Sequence, residues 1–230
     1  MSIILLMMRP EDLVGILEGA NTAIVADDEY SAATFVCELA TQQLAEKTVI
    51  VVYSEIKCRK IEKLLSSKAY CSGISSLLSR IPVVKVGKTN RAGFGNVVAY
   101  VEERGDLREM CGEIGSILKR LYDSKEIAFF VGFDLVSYLY SPAEIVAGME
   151  ELLTHIPEMT KFFLLTRMKR ECVPVITNMF DVMIRIKRSR GFDIMAYNRV
   201  YDVFVEHSII RELPPLPLFR IDGEKMVNIV

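Results

Sequence analysis

The sequence predicts an α/β protein in three layers: a mostly parallel sheet between helices, extended by antiparallel strands toward the C-terminus. Three observations carry this. Segments of strand character alternate with segments of helical period up to about residue 181, the order that builds a parallel sheet with helical crossovers. Val-Ile-Val-Val at 49–52 and Ile-Ala-Phe-Phe-Val at 127–131 are unbroken apolar runs, as strands covered on both faces should be. Beyond residue 181 strands follow one another without helices, which calls for antiparallel pairing. The 230 residues show no internal repeat, low-complexity tract or linker and read as one domain over 1–230.

Taken in order, 10–18 reads as a short helix. Pro10 suits its first turn, Glu11 and Asp12 favour its N-terminus, and Gly19 stops it. A strand at 22–26 leads into a tight turn over 27–34. A helix then runs to residue 46, with Ala32, Phe35, Val36, Leu39, Ala40 and Leu44 on one face. After the strand at 48–54, a helix over 57–65 turns Ile61, Leu64 and Leu65 inward, and 66–80 reads as helical in part. A third strand at 82–87 precedes a polar, glycine-bearing loop at 88–96 and a further strand at 97–101. Asp106 opens a helix with Glu109 three residues on, and Leu107, Met110, Cys111, Ile114, Ile117, Leu118 and Leu121 form its stripe. Ser141-Pro-Ala-Glu144 begins another, running to about residue 155. A strand at 161–166 follows, and then one at 181–187 in which Val182, Ile184 and Ile186 alternate with polar positions, the pattern of a sheet edge. Residues 188–191 read as a turn, with 192–196 returning as a hairpin strand. The tail offers strands at 201–205, 218–221 and 226–230, the last two joined at Asp222-Gly223.

Composition narrows the function classes. The net charge of −2 exerts no global pull toward nucleic acid or membrane. Charge is uneven, however: residues 161–190 hold eight Lys or Arg against two acids, leaving a surplus of negative charge elsewhere. The five cysteines (Cys37, Cys58, Cys71, Cys111, Cys172) form no CxxC pair, and their odd number argues against a disulfide framework. His155 and His207 lie far from any cysteine at metal-ligand spacing, so neither metal nor cofactor is expected. The apolar start, 1–8, lacks the basic region and cleavage site of a signal peptide. No apolar run reaches the roughly 18–20 residues needed to cross a bilayer. The expectation is a cytoplasmic protein without membrane contact.

Three stretches carry a resemblance. Residues 19–55 run strand, turn, helix, strand, and end in Val51-Val-Tyr-Ser-Glu55. Residues 127–134 read Ile-Ala-Phe-Phe-Val-Gly-Phe-Asp. From Lys161 onward come Met179-Phe-Asp-Val-Met-Ile-Arg185, a basic turn, and Pro217-Leu-Phe-Arg-Ile-Asp-Gly223. In this order the chain resembles the RecA-type ATPase core, and more closely its KaiC-like branch. It also resembles an uncharacterised archaeal family of KaiC relatives that lack the phosphate loop. The resemblance implies a RecA-like three-layer core and lays 26–33 on the loop G-x-x-x-x-G-K-[ST]. Ser31 then stands at the second glycine and Ala32 at the lysine, behind Asp27, Asp28 and Glu29. The family's loop offers bare backbone N–H groups and a cation to phosphate. A carboxylate roughly 5 Å from a phosphate charge, at an effective dielectric near 20, costs about 3 kcal/mol. Three of them are expected to abolish nucleotide binding at this turn. Gly132 falls where the family's magnesium-binding acid is expected, with Asp134 two residues late, a shift of ~7 Å along a strand.

Other candidate sites have structural alternatives. Gly87, Gly93 and Gly95 could cradle an anion beside Lys88 and Arg91, or belong to a surface loop. Asp134 reads as an N-cap or a displaced metal ligand. Glu55 reads as a solvated strand end or as a remnant of the family's catalytic acid. Arg167, Lys169 and Arg170 end one strand and Lys187, Arg188 and Arg190 end the next. If those strands are parallel, the six cations share one sheet edge. They could meet phosphates, although neither cluster carries an aromatic residue to stack bases. They could also pair with the acidic turn. The resulting expectation is a non-catalytic RecA/KaiC-like protein that binds a protein partner or itself, with the acidic turn and the basic edge as complementary patches. The alternatives are a nucleotide-dependent enzyme with its site moved near Lys88, and a nucleic-acid binder using the basic edge.

Overall fold

A computed structural model describes residues 10–39, 45–66, 80–166, 172–189, 200–213, 217–222 and 225–228. Their element order is α1 (Pro10–Ile16), β1 (Asn21–Ala26), α2 (Glu29–Leu39), β2 (Thr48–Tyr53), α3 (Glu55–Ser66), β3 (Pro82–Gly87), β4 (Asn96–Glu102), α4 (Leu107–Leu121), β5 (Ile127–Val131), a 3₁₀ helix (Phe133–Tyr138), α5 (Pro142–His155), β6 (Thr160–Leu165), α6 (Val173–Thr177), β7 (Val182–Arg188), β8 (Val200–Ser208), β9 (Pro217–Asp222) and β10 (Lys225–Asn228).

The strands form one ten-stranded sheet in the order β10-β9-β8-β7-β1-β6-β5-β2-β3-β4. From β4 to β7 every pairing is parallel. β7, β8, β9 and β10 pair antiparallel. The expected fold class is therefore the observed one. Successive residues on each strand serve opposite faces. Ile24, Ile50, Phe129 and Phe162 join a core under α1 and α2, while Ala23, Val51, Phe130 and Phe163 join one under α4 and α5. The β5–β6 register Phe129↔Phe162 and Phe130↔Phe163 stacks one phenylalanine pair on each face, with ring centroids 4.9 and 4.3 Å apart.

Capping places the helices. Asp106 accepts from the N–H groups of Arg108 and Glu109, and Ser141 with Glu144 forms a reciprocal capping box. Two elements differ from the sequence reading. α2 begins at Glu29, not after residue 34. Asp28 accepts from the Ser31 N–H at 2.8 Å in the manner of an N-cap, so the turn shrinks and Glu29 enters the helix. The partner of β7 is the long strand β8, paired from Val182↔Ser208 to Arg188↔Tyr201. The hairpin strand expected at 192–196 lies outside the described residues, as does 67–79. Among the described residues no helix is long and apolar enough to cross a membrane.

Candidate functional site

β1 leads through α2 to β2, which lies three strands away across β6 and β5, while β7 flanks β1 on the other side. In open α/β sheets such a reversal of strand order opens a crevice at the carboxyl ends of the strands. Four connections deliver side chains to this edge: Glu29 after β1, Lys57 and Lys60 after β2, Asp134 after β5 and Thr166 after β6.

These side chains form one network. Lys57 Nζ donates to Glu29 Oε1 at 3.2 Å and to Thr166 Oγ1 at 3.2 Å, and lies 3.5 Å from Asp134 Oδ2. Lys60 Nζ donates to the same Glu29 oxygen at 3.0 Å. The Thr166 hydroxyl donates to Asp134 Oδ2 at 3.0 Å. Lys57 is 5 % exposed and Asp134 fully buried. Charges this buried persist only where partners replace water, and here two lysines face two carboxylates. Burial alone would raise the pKa of Glu29, but the Lys60 and Lys57 hydrogen bonds and charges outweigh it and hold the group below its ordinary value. Beside the network is a cavity of about 50 Å³, bordered by Ala32, Ala33 and Ile61. Pockets for nucleotide-sized ligands are roughly 300–1,000 Å³.

The three acids of the turn have separate partners. Asp27 accepts the Arg188 backbone N–H at 3.1 Å. Asp28 accepts the Tyr201 hydroxyl at 2.6 Å as well as the Ser31 N–H. Glu29 takes the two lysines. Ser31 and Ala32 are buried on the first turns of α2. Gly132 also has a local reason: its φ is +92°, and a Cβ there would stand 2.4 Å from the Tyr53 carbonyl oxygen and 2.8 Å from Lys57 Cγ. A side chain at this position would block the path by which Lys57 reaches Asp134.

Asp134 does not cap the 3₁₀ helix, whose N-cap is Gly132; its carboxylate turns to Lys57 and Thr166 instead. Glu55 is the first residue of α3 rather than a solvated strand end. Its Oε1 accepts from Lys85 Nζ (3.2 Å), Lys88 N (3.1 Å), Thr89 N (2.8 Å) and Thr89 Oγ1 (3.0 Å). Seven residues further along α3, Glu62 accepts the Gly93 N–H at 2.6 Å. These N–H groups of the loop at 88–93 are thus taken by carboxylates of the neighbouring helix. Burial acts to raise the pKa of Glu55, yet the Thr89 and Lys85 contacts bring it below its usual value. Lys85 itself is fully buried within β3.

Lys88 and Arg91 are both exposed. Beside Lys88 an apolar groove of about 430 Å³ is lined by Ile56, Leu135, Tyr138 and Leu139, with Glu103 and Tyr53. Ile56, Tyr138 and Leu139 are 62, 51 and 62 % exposed. β6 and β7 are both parallel to β1, so their carboxyl ends share an edge. Of the six cations expected there, Arg167, Lys169, Arg170 and Arg190 lie outside the described residues. Arg188 is exposed, and the Lys187 ammonium stands 5.4 Å from the centre of the Phe204 ring on β8. Among the described residues no cluster of three or more His, Cys, Asp or Glu stands ready for a metal.

Sequence reasoning missed Lys57, Lys60 and Thr166. The available signal was charge demand: a turn with three acids beside a sheet edge needs cations from the next connection, and Lys57 and Lys60 are the lysines one helical turn apart just after β2.

No protein-family model and no curated protein matches the sequence. Solved structures do match its fold. A Pyrococcus horikoshii protein determined in a structural project is 12 % identical, with a TM-score of 0.65 over 96 % of this chain and 98 % of that one. A KaiC-like protein from the same archaeon is 14 % identical, with a TM-score of 0.60 over 93 % and 91 %. An uncharacterised P. horikoshii protein, crystallised with an unknown peptide, is 12 % identical, with a TM-score of 0.63 over 93 % of each chain. Identity this low speaks for architecture alone, and the architecture is that of the KaiC-like proteins.

Proposed function

We propose that this chain is a KaiC-like protein without ATP chemistry that works by binding another polypeptide. The observation that carries the reading is the Lys57–Glu29–Asp134–Thr166 network. It fills the carboxyl edge of β1 with the protein's own side chains and leaves only about 50 Å³ beside them. A triphosphate brought there would meet Glu29 and displace two ion pairs. A site moved to Lys88 fares no better, because the inward N–H groups of that loop already hold Glu55.

The interaction surface in this reading is the groove beside Ile56, Tyr138 and Leu139. Exposed apolar side chains gathered at one place mark contact sites more often than scattered ones do. The peptide-bound P. horikoshii protein shares the fold and supports a polypeptide as the partner class. The acidic turn is a poor partner surface, since each of its carboxylates is engaged within the chain.

Two measurements test the proposal. Calorimetry with ATP and magnesium should give no saturable heat; micromolar binding would overturn the loss of nucleotide chemistry. Selection from a displayed random-peptide library should enrich sequences with apolar anchors that no longer bind a Leu139→Asp variant. Enrichment indifferent to that change would remove the groove as the binding surface.

A further inference from the structure

Two ammonium groups converge on a single oxygen at the edge of the sheet. Lys57 and Lys60 reach Glu29 Oε1 at 3.2 and 3.0 Å from successive turns of one helix. Lys57 is also held from behind, by Thr166 and Asp134. Its position therefore does not depend on Glu29 alone. Glu29 is the outer of the two carboxylates, its side chain 26 % exposed where that of Asp134 is 1 %.

We propose that Glu29 is an internal stand-in for a small tetrahedral oxyanion of the phosphate type, and that it keeps an oxyanion site closed. This rests on the reading that the edge of β1 does not take ATP, and it names what the same residues would hold instead. Charge supports it. Two lysines face two carboxylates, so withdrawal of Glu29 leaves a net positive seat at two ammonium groups, one of them steadied from behind by Thr166 and Asp134. Size supports it as well. The adjoining cavity is about 50 Å³ and walled mostly by Ala32, Ala33, Ile61, Val131 and Leu164, so the anion must sit where the withdrawn carboxylate was, with room for one small group and none for a nucleoside. Lysine ammonium groups bind phosphate as point charges without a required fork geometry, so the seat needs no rearrangement to change one anion for another.

The test compares the wild type, Glu29→Ala and the double variant Glu29→Ala/Lys60→Met by calorimetric titration with inorganic phosphate at constant ionic strength. The wild type should show no saturable heat. Glu29→Ala should bind phosphate with a Kd of about 1 mM or tighter. The double variant should bind roughly tenfold more weakly or not at all. Titration with a phosphoserine peptide in place of free phosphate tells a protein-borne phosphate from a free one. A folded Glu29→Ala protein that gives no saturable heat overturns the proposal, and so does a wild type that binds phosphate equally well. If Glu29→Ala is unfolded in buffer, phosphate is titrated while circular dichroism is followed. Folding driven by phosphate supports the site, and no response overturns it. The ATP titration of the wild type is separate, so failure of one reading is not failure of the other.

Discussion

Lys57 on α3 and Asp134 on the 3₁₀ helix after β5 face each other across 3.5 Å, with side chains 7 and 1 % exposed. Replacing Lys57 by Met strips the cation from this buried pair while keeping most of the side-chain volume. Removing one partner of a buried ion pair costs about 3–5 kcal/mol. Urea denaturation of Lys57→Met should show a loss of that order. A variant as stable as the wild type would mean that the network contributes little.

Gly132 should tolerate no side chain. Its left-handed backbone and the 2.4 Å approach to the Tyr53 carbonyl leave no room for a Cβ. Gly132→Ala combines backbone strain with overpacking, together about 3–5 kcal/mol. The melting temperature should fall accordingly. An unchanged melting point would show that the ends of β2 and β5 are free to separate.

Glu55→Gln should loosen the loop after β3 without unfolding the sheet. The amide side chain keeps one acceptor but loses the charge that pairs with Lys85 and holds the Thr89 N–H. Charge-assisted hydrogen bonds are worth about 1.5–3 kcal/mol, so the amides of Lys88 and Thr89 should exchange with deuterium roughly tenfold faster or more. Equal protection in both proteins would show that other contacts hold the loop.

Lys161 supplies a dependence on alkaline pH. It is 1 % exposed, and its ammonium is spent on the carbonyl oxygens of Ile156, Pro157 and Met159 beyond the end of α5. Burial draws its pKa down to about 8, against the opposing pull of Asp181 and Glu158. The ordinary value is 10.5. Between these values the unfolded chain keeps a proton that the folded one releases, so this group's contribution to stability rises with pH across the window. Below about 8 both states are protonated and the contribution is flat. Denaturation midpoints at several pH values should therefore climb more between pH 8 and 10 in the wild type than in Lys161→Met, by on the order of 2 kcal/mol. Parallel curves would count against the shift.

The order of strands and helices was legible because the parallel strands are buried on both faces and must be apolar throughout. Val49, Val51, Phe129 and Phe130 announce themselves. The antiparallel end was legible because strands follow one another without helices beyond residue 181, but the alternation in β7 pointed to a sheet edge, whereas β7 lies inside the sheet between β1 and β8. The site was legible only in half. Three adjacent acids are conspicuous in sequence, but their partners come from other connections: Lys57 from after β2, Arg188 and Tyr201 from β7 and β8. Sequence spacing carries no information about such encounters. Lys85 and Lys161 were hidden for a related reason. A lysine inside an apolar strand reads as an interruption until the carboxylate or carbonyl groups that receive its ammonium are in place.

Glu55 and Glu62 stand two helical turns apart on α3, and each ends on the same loop, one at Lys88 and Thr89 and the other at Gly93. A strut fastened at two points cannot pivot about either. Force applied to the tip of the loop is therefore passed lengthwise into the helix as a whole, and Lys57 and Lys60, riding between the two fastenings, are carried with it. Tugging at the outside of the protein would thus be felt where its buried charges meet.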